Sequence, residues 1–134
     1  MRVTPENASI SKGALWTGRI LSGLAVAFLL FDAVGKLSMQ STPVEATVKL
    51  GYPEYAVRGI GIALLASTLI YATPYTAVLG AILLTGYLGG AVATHVRVGN
   101  PLFQVVFPVI MGLLVWGGLY LRDKRLRALI PIRL

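Results

Sequence analysis

A chain of 134 residues that is 56% hydrophobic and 13% charged has too little polar surface to cover a water-soluble domain of its size. Its net charge of +7 does not mark a nucleic-acid binder. The basic residues gather at the two ends, as Arg2 and Lys12 and then Arg122, Lys124, Arg125, Arg127 and Arg133, which is the pattern of cytoplasmic flanks of membrane spans. Without cysteine the chain cannot run thiol–disulfide chemistry or hold a Cys-ligated iron–sulfur cluster.

Four apolar segments, at about 14–36, 54–73, 75–96 and 102–121, come close to the roughly 20 residues that cross a bilayer. The pattern predicts an all-α integral membrane four-helix bundle, a single domain over residues 1–134. The first span carries Gly18, Ser22 and Gly23 as a small-residue face, and Arg19 near its start is placed to snorkel to the headgroups. It is longer than the ~7–15 apolar residues of a cleaved signal peptide, and it ends in Asp32 and Lys36.

The connection that follows, about residues 37–53, predicts a short interfacial helix over about 43–50. Thr42-Pro43-Val44-Glu45 reads as a capping box with proline at the first helical position. Gly51 would end this helix and Pro53 begin the next. Two readings stand for it: a lid over the bundle mouth, or a passive connector at the interface. Thr73-Pro74 leaves so tight a turn that the second and third spans must be antiparallel neighbours.

The third span runs Gly86, Gly89 and Gly90 down its length, an expected helix-packing face, and delivers His95 and Arg97 to its end. Asn100-Pro101 reads as N-cap and first residue of the fourth span, and Pro108 inside it predicts a kink. Trp16, Trp116 and Tyr120 fall toward one interface. An even number of spans puts both termini on one side, and the basic flanks make that side the cytoplasm, in a multi-pass protein of the cell inner (plasma) membrane.

On that topology the remaining polar residues collect at the opposite, non-cytoplasmic end. Asp32/Lys36, Glu45/Lys49 and Glu54/Arg58 are acid-then-base pairs at the i,i+4 spacing that suits ion pairs on one helical face. His95, Arg97, Asn100 and Gln104 join them. A polar pocket follows as an expectation, with His95, Asp32 and Glu54 as acid–base or proton-relay candidates. Arg58, Arg97, Lys36, Gln104, Tyr55 and Tyr87 would contact a ligand, and Tyr52, Phe103 and Phe107 would add aromatic wall. The opposing reading makes the charges structural, stapling the helix ends. No metal site is expected. One histidine per chain cannot form a bis-histidine site without an oligomer, and no second ligand is spaced to it, so haem is set aside and a quinone stands as the candidate.

Lys49-Leu-Gly-Tyr-Pro53, Gly80-Ala-Ile-Leu-Leu-Thr-Gly-Tyr-Leu-Gly-Gly-Ala-Val-Ala-Thr-His95 and Trp116 through Leu121-Arg-Asp-Lys-Arg-Leu-Arg127 resemble the DoxX-like family of small bacterial four-helix membrane proteins. The resemblance implies a four-helix membrane bundle and, more loosely, a role beside oxidoreductases. The family is named after the small membrane subunit of an archaeal thiosulfate:quinone oxidoreductase, and distant animal relatives assist receptor assembly. Three functions compete: a subunit or enzyme that acts on a quinone or another lipophile, an assembly module without chemistry, and, with least support, a transporter or channel, since four short spans show no inverted repeat. The partner candidates are the bilayer, a membrane oxidoreductase and a second copy of the chain.

Overall fold

The computed structural model describes residues 10–129. Arg2 and Arg133 of the basic flanks lie outside them. The described residues form α1 (Lys12–Leu37), α2 (Ser41–Lys49), α3 (Ala56–Ala72), a 3-10 turn (Pro74–Thr76), α4 (Ala77–Val98), α5 (Leu102–Arg122) and α6 (Lys124–Leu129). The segments Lys12–Leu37, Pro74–Val98 and Leu102–Arg122 are long and apolar enough to cross a membrane, and α3 is a shorter apolar helix of 17 residues.

The long helices pack in a ring: α1 against α3 and α5, and α4 against the same two. Their shared core holds Ala25, Leu29, Ala33, Leu64, Tyr71, Ala81, Leu84, Met111 and Val115. Most other large apolar side chains, such as Trp16, Phe31, Ile62, Leu102 and Leu113, face outward. Outward apolar faces on all sides are the mark of helices solvated by lipid.

Local chemistry sets the ends of the helices, and in several places it differs from the expectation. Ser11 caps α1 by accepting from the Ala14 N–H at 3.1 Å. Helix α2 starts at Ser41 after Gln40, with no side-chain cap, so the expected Thr42–Glu45 capping box is not formed. Gly51, at φ 97°, does end the segment after α2. Pro53 does not begin α3. Ala56 N–H bonds to Pro53 O and Val57 N–H to Glu54 O, an i→i+3 turn that delays the α-helix to Ala56 and shortens the second apolar segment.

Asn100 is not the N-cap of α5. It belongs to the end of α4, where Gly99 takes the left-handed conformation and the Gly99 and Asn100 N–H groups both bond to His95 O at 3.1 Å. Pro108 sits inside an unbroken α5, buried against the core. Helix α6 follows the last apolar segment and is not part of the expected pattern. Asp123 breaks from helical geometry, and its Oδ1 accepts from Arg125 N–H, which starts a new turn. Arg127 ties that turn back by donating to Tyr120 O at 2.8 Å and Leu121 O at 2.9 Å.

The glycine expectation needs the largest correction. A Cβ placed on Gly86, Gly89 or Gly90 would meet nothing within 4 Å among the described residues, so these three are not contacts between the described helices. Close approach happens elsewhere: a Cβ on Gly18 would lie 2.6 Å from Gly118 O, one on Gly118 would overlap Ser22, and one on Gly80 would overlap the Tyr71 backbone. A run of small residues shows that two helices could touch there, and only the bundle geometry decides whether they do.

Candidate functional site

A cavity of about 450 Å³ opens between α1, α3, α4 and α5, and α2 lies over it. That volume is within the ~300–1,000 Å³ of small-molecule sites. Apolar wall comes from Phe28 and Leu29 of α1, Ile60 of α3, Leu88 of α4, and Phe107 and Met111 of α5. Pro43, Ala46, Thr47 and Leu50 form the roof. The polar side chains are Asp32, Lys36, Tyr52, Tyr87, Thr94 and His95.

These polar groups are stratified by depth. At about 1.5 Å per residue, His95 lies about 5 Å below the end of α4, Asp32 about 8 Å below the end of α1, and Tyr87 about 16 Å down α4. Lys36 and Asp32 form an ion pair, the one i,i+4 acid–base pair of the three that closes among the described residues. Glu45 and Lys49 are exposed on α2 and do not pair. Glu54 precedes α3, so it never shares a helical face with Arg58.

His95 is held by the loop that follows it. Asn100 Nδ2 lies 2.8 Å from His95 Nδ1. An amide nitrogen only donates, so Nδ1 accepts and the imidazole proton sits on Nε2. His95 therefore offers one N–H donor beside the cavity. Tyr52 donates to Thr94 Oγ1 at 3.0 Å, because the Thr94 hydroxyl spends its own proton on Gly90 O at 2.7 Å. This bond straps the segment after α2 to α4. Arg97 adds a second strap by donating to Leu50 O at 2.9 Å. The Tyr87 hydroxyl has no hydrogen-bond partner among the described residues.

The structure thus gathers Asp32, Lys36, Tyr87 and His95 in one cavity, with Gly86 and Gly90 on its wall. It does not bring Glu54, Arg58, Arg97, Gln104 or Tyr55 there. Glu54 lies with Glu45 and Lys49 in a shallow depression on the outer side of α2. Arg58 reaches Leu37 O at 3.4 Å, at the end of α1, and Arg97 is used on α2. Gln104 is exposed, as are Tyr55 and Phe103 at 87% and 73%. Sequence reasoning missed Thr94, Thr47 and Phe28 as cavity residues and Asn100 as the orienting partner of His95. The Gly99-Asn100 pair after a helix carried the signal for the last, since a left-handed glycine folds the next residue back over the helix end.

The DoxX-like family model matches residues 20–118. The chain belongs to the DoxX-like family. It is a membrane protein built of apolar helices. No curated protein and no solved structure matches it. The matched region of this DoxX-like protein runs from α1 into α5 and contains every residue that lines the cavity.

Proposed function

We propose that this DoxX-like protein is a four-helix bundle of the inner membrane with both termini in the cytoplasm, and that it binds a lipophilic small molecule such as a quinone at its non-cytoplasmic end. It serves there as a subunit of a membrane oxidoreductase system. The observation that carries this reading is the cavity itself: apolar at depth, with a histidine N–H, an ion pair and two tyrosines as its polar groups. Few polar groups in an apolar wall suit a ligand whose carbonyl or hydroxyl head needs orientation more than charge. His95 and Tyr87 act as donors to the head, and Asp32 with Lys36 supplies an acid–base pair beside it. The basic flanks support the orientation.

The test is extraction in mild detergent, followed by mass spectrometry of what co-purifies and a visible spectrum of the same sample. A stoichiometric lipophile that is lost from a His95→Ala variant is the expected result. Bulk phospholipid alone, with a featureless spectrum, removes the ligand reading and leaves an assembly module to be sought by crosslinking.

A further inference from the structure

The cavity has a closed top and an open side. Helix α2 covers the mouth, and its two straps, Tyr52 to Thr94 and Arg97 to Leu50, hold it down. The wall between α3 and α4 is different. These helices touch backbone to backbone at the hairpin, where Gly80 meets Tyr71. Farther along, Ile60 and Ala63 of α3 and Gly86 and Gly90 of α4 border the cavity. Ala63, Gly86 and Gly90 are all exposed, and neither glycine has anything within 4 Å of where a Cβ would be.

The helical wheel places this gap. With Gly80 taken as the direction of α3, Gly90 lies about 80° and Gly86 about 120° round α4 in one sense. Leu88 and Thr85, which meet Gly112 and Trp116 of α5, lie about 80° and 140° round in the other. The two glycines therefore stand on the flank of α4 away from α5, at the border with α3. Among the described residues, those of α3 and α4 that line the cavity include no aspartate, glutamate, lysine or arginine.

Resting on the ligand reading above, we infer that the ligand carries an alkyl or isoprenoid tail, and that the tail leaves the cavity between α3 and α4 across Ala63, Gly86 and Gly90. The head lies under α2 and the tail runs out among the lipid chains. The tail gains little free energy from the gap, because lipid is as apolar as the protein wall. What the gap provides is room: a tailed head seats only if its tail has a way out.

The test compares two probes in nanodiscs: a benzoquinone bearing a ten-carbon alkyl tail, and the same benzoquinone without the tail. The variant is Gly86→Leu with Gly90→Leu, and Gly89→Leu is the control, on the same helix but away from the cavity. All three glycines have open space at the Cβ position, so the variants are expected to fold, with helicity and elution volume as the check. The expected result is a loss of at least about tenfold in affinity for the tailed probe in the double variant. The tail-less probe and the Gly89→Leu control should keep wild-type affinity. Equal loss of both probes overturns the proposal, since the leucines would then be filling the head site. Unchanged binding of the tailed probe overturns it as well. If neither probe binds the wild type, the ligand reading fails and takes the tail route with it.

Discussion

The two ends of the helical ring are built on opposite rules. At the end carrying α6, backbones meet: Gly18 and Gly118 face each other across α1 and α5, and Gly80 lets α4 touch Tyr71 of α3. A buried polar chain crosses the same region. Arg122 Nε donates to Ser22 Oγ at 3.1 Å, Ser22 donates to the Tyr71 hydroxyl at 2.8 Å, and Tyr71 donates to Val115 O at 2.7 Å. At the end carrying α2 the helices part around a cavity, and the polar groups face space instead of each other. Glycine serves both ends. At Gly18, Gly80 and Gly118 the missing side chain allows contact; at Gly86 and Gly90 it leaves room.

The sharpest way to break this comparison is Gly80→Ala. The added methyl would overlap backbone atoms of Tyr71, and backbone cannot move aside as a flexible side chain can. The expected cost is about 3 kcal/mol or more, read as a lower midpoint of denaturant or thermal unfolding in detergent. A variant as stable as the wild type would mean that the α3–α4 hairpin does not close as described.

Much of the fold is legible in the sequence. The apolar runs, the basic ends and the Thr73-Pro74 turn specify apolar helices and an antiparallel hairpin, because hydropathy and proline act locally. The helix starts were less legible. Pro53 fits a first helical position as well as the turn it occupies, and Asn100 fits an N-cap as well as the close of the preceding helix. The cavity lining was legible where charge and helical register coincide, as at Asp32, Lys36 and His95. Arg58 and Arg97 looked the same in sequence but are spent on carbonyls at helix ends, a use set by which helix end lies within reach. The function of each glycine depends on the neighbouring helix, which no local pattern contains.

A smaller effect is expected from Tyr71→Phe. The ring keeps its place in the core, and only the hydroxyl that bridges Ser22 and Val115 is lost. Val115 O keeps its helical position, while Ser22 loses the acceptor for its own proton. The cost should be about 1 kcal/mol, as for interhelical hydrogen bonds in lipid. The same variant should retain co-purified lipophile at the wild-type level, since Tyr71 does not line the cavity. Loss of ligand comparable to His95→Ala would show that the two ends are coupled, and the comparison would have to give way to a single cooperative unit.

The smallest effect, and the one of opposite sign, belongs to Gly90→Ala. The residue lies within α4 at ordinary helical φ, so the methyl brings no backbone strain. It meets nothing within 4 Å, so it brings no overlap. What remains is the conformational entropy that glycine loses on folding and alanine does not, which favours the variant by about 0.5–1 kcal/mol. Gly80→Ala and Gly90→Ala are thus the same chemical change on the same helix, ten residues apart, with opposite expected signs of stability. Unfolding both in the same detergent tests the comparison directly. If Gly90→Ala is destabilising, α3 and α4 meet at that level too, and the gap on which the tail route depends is closed.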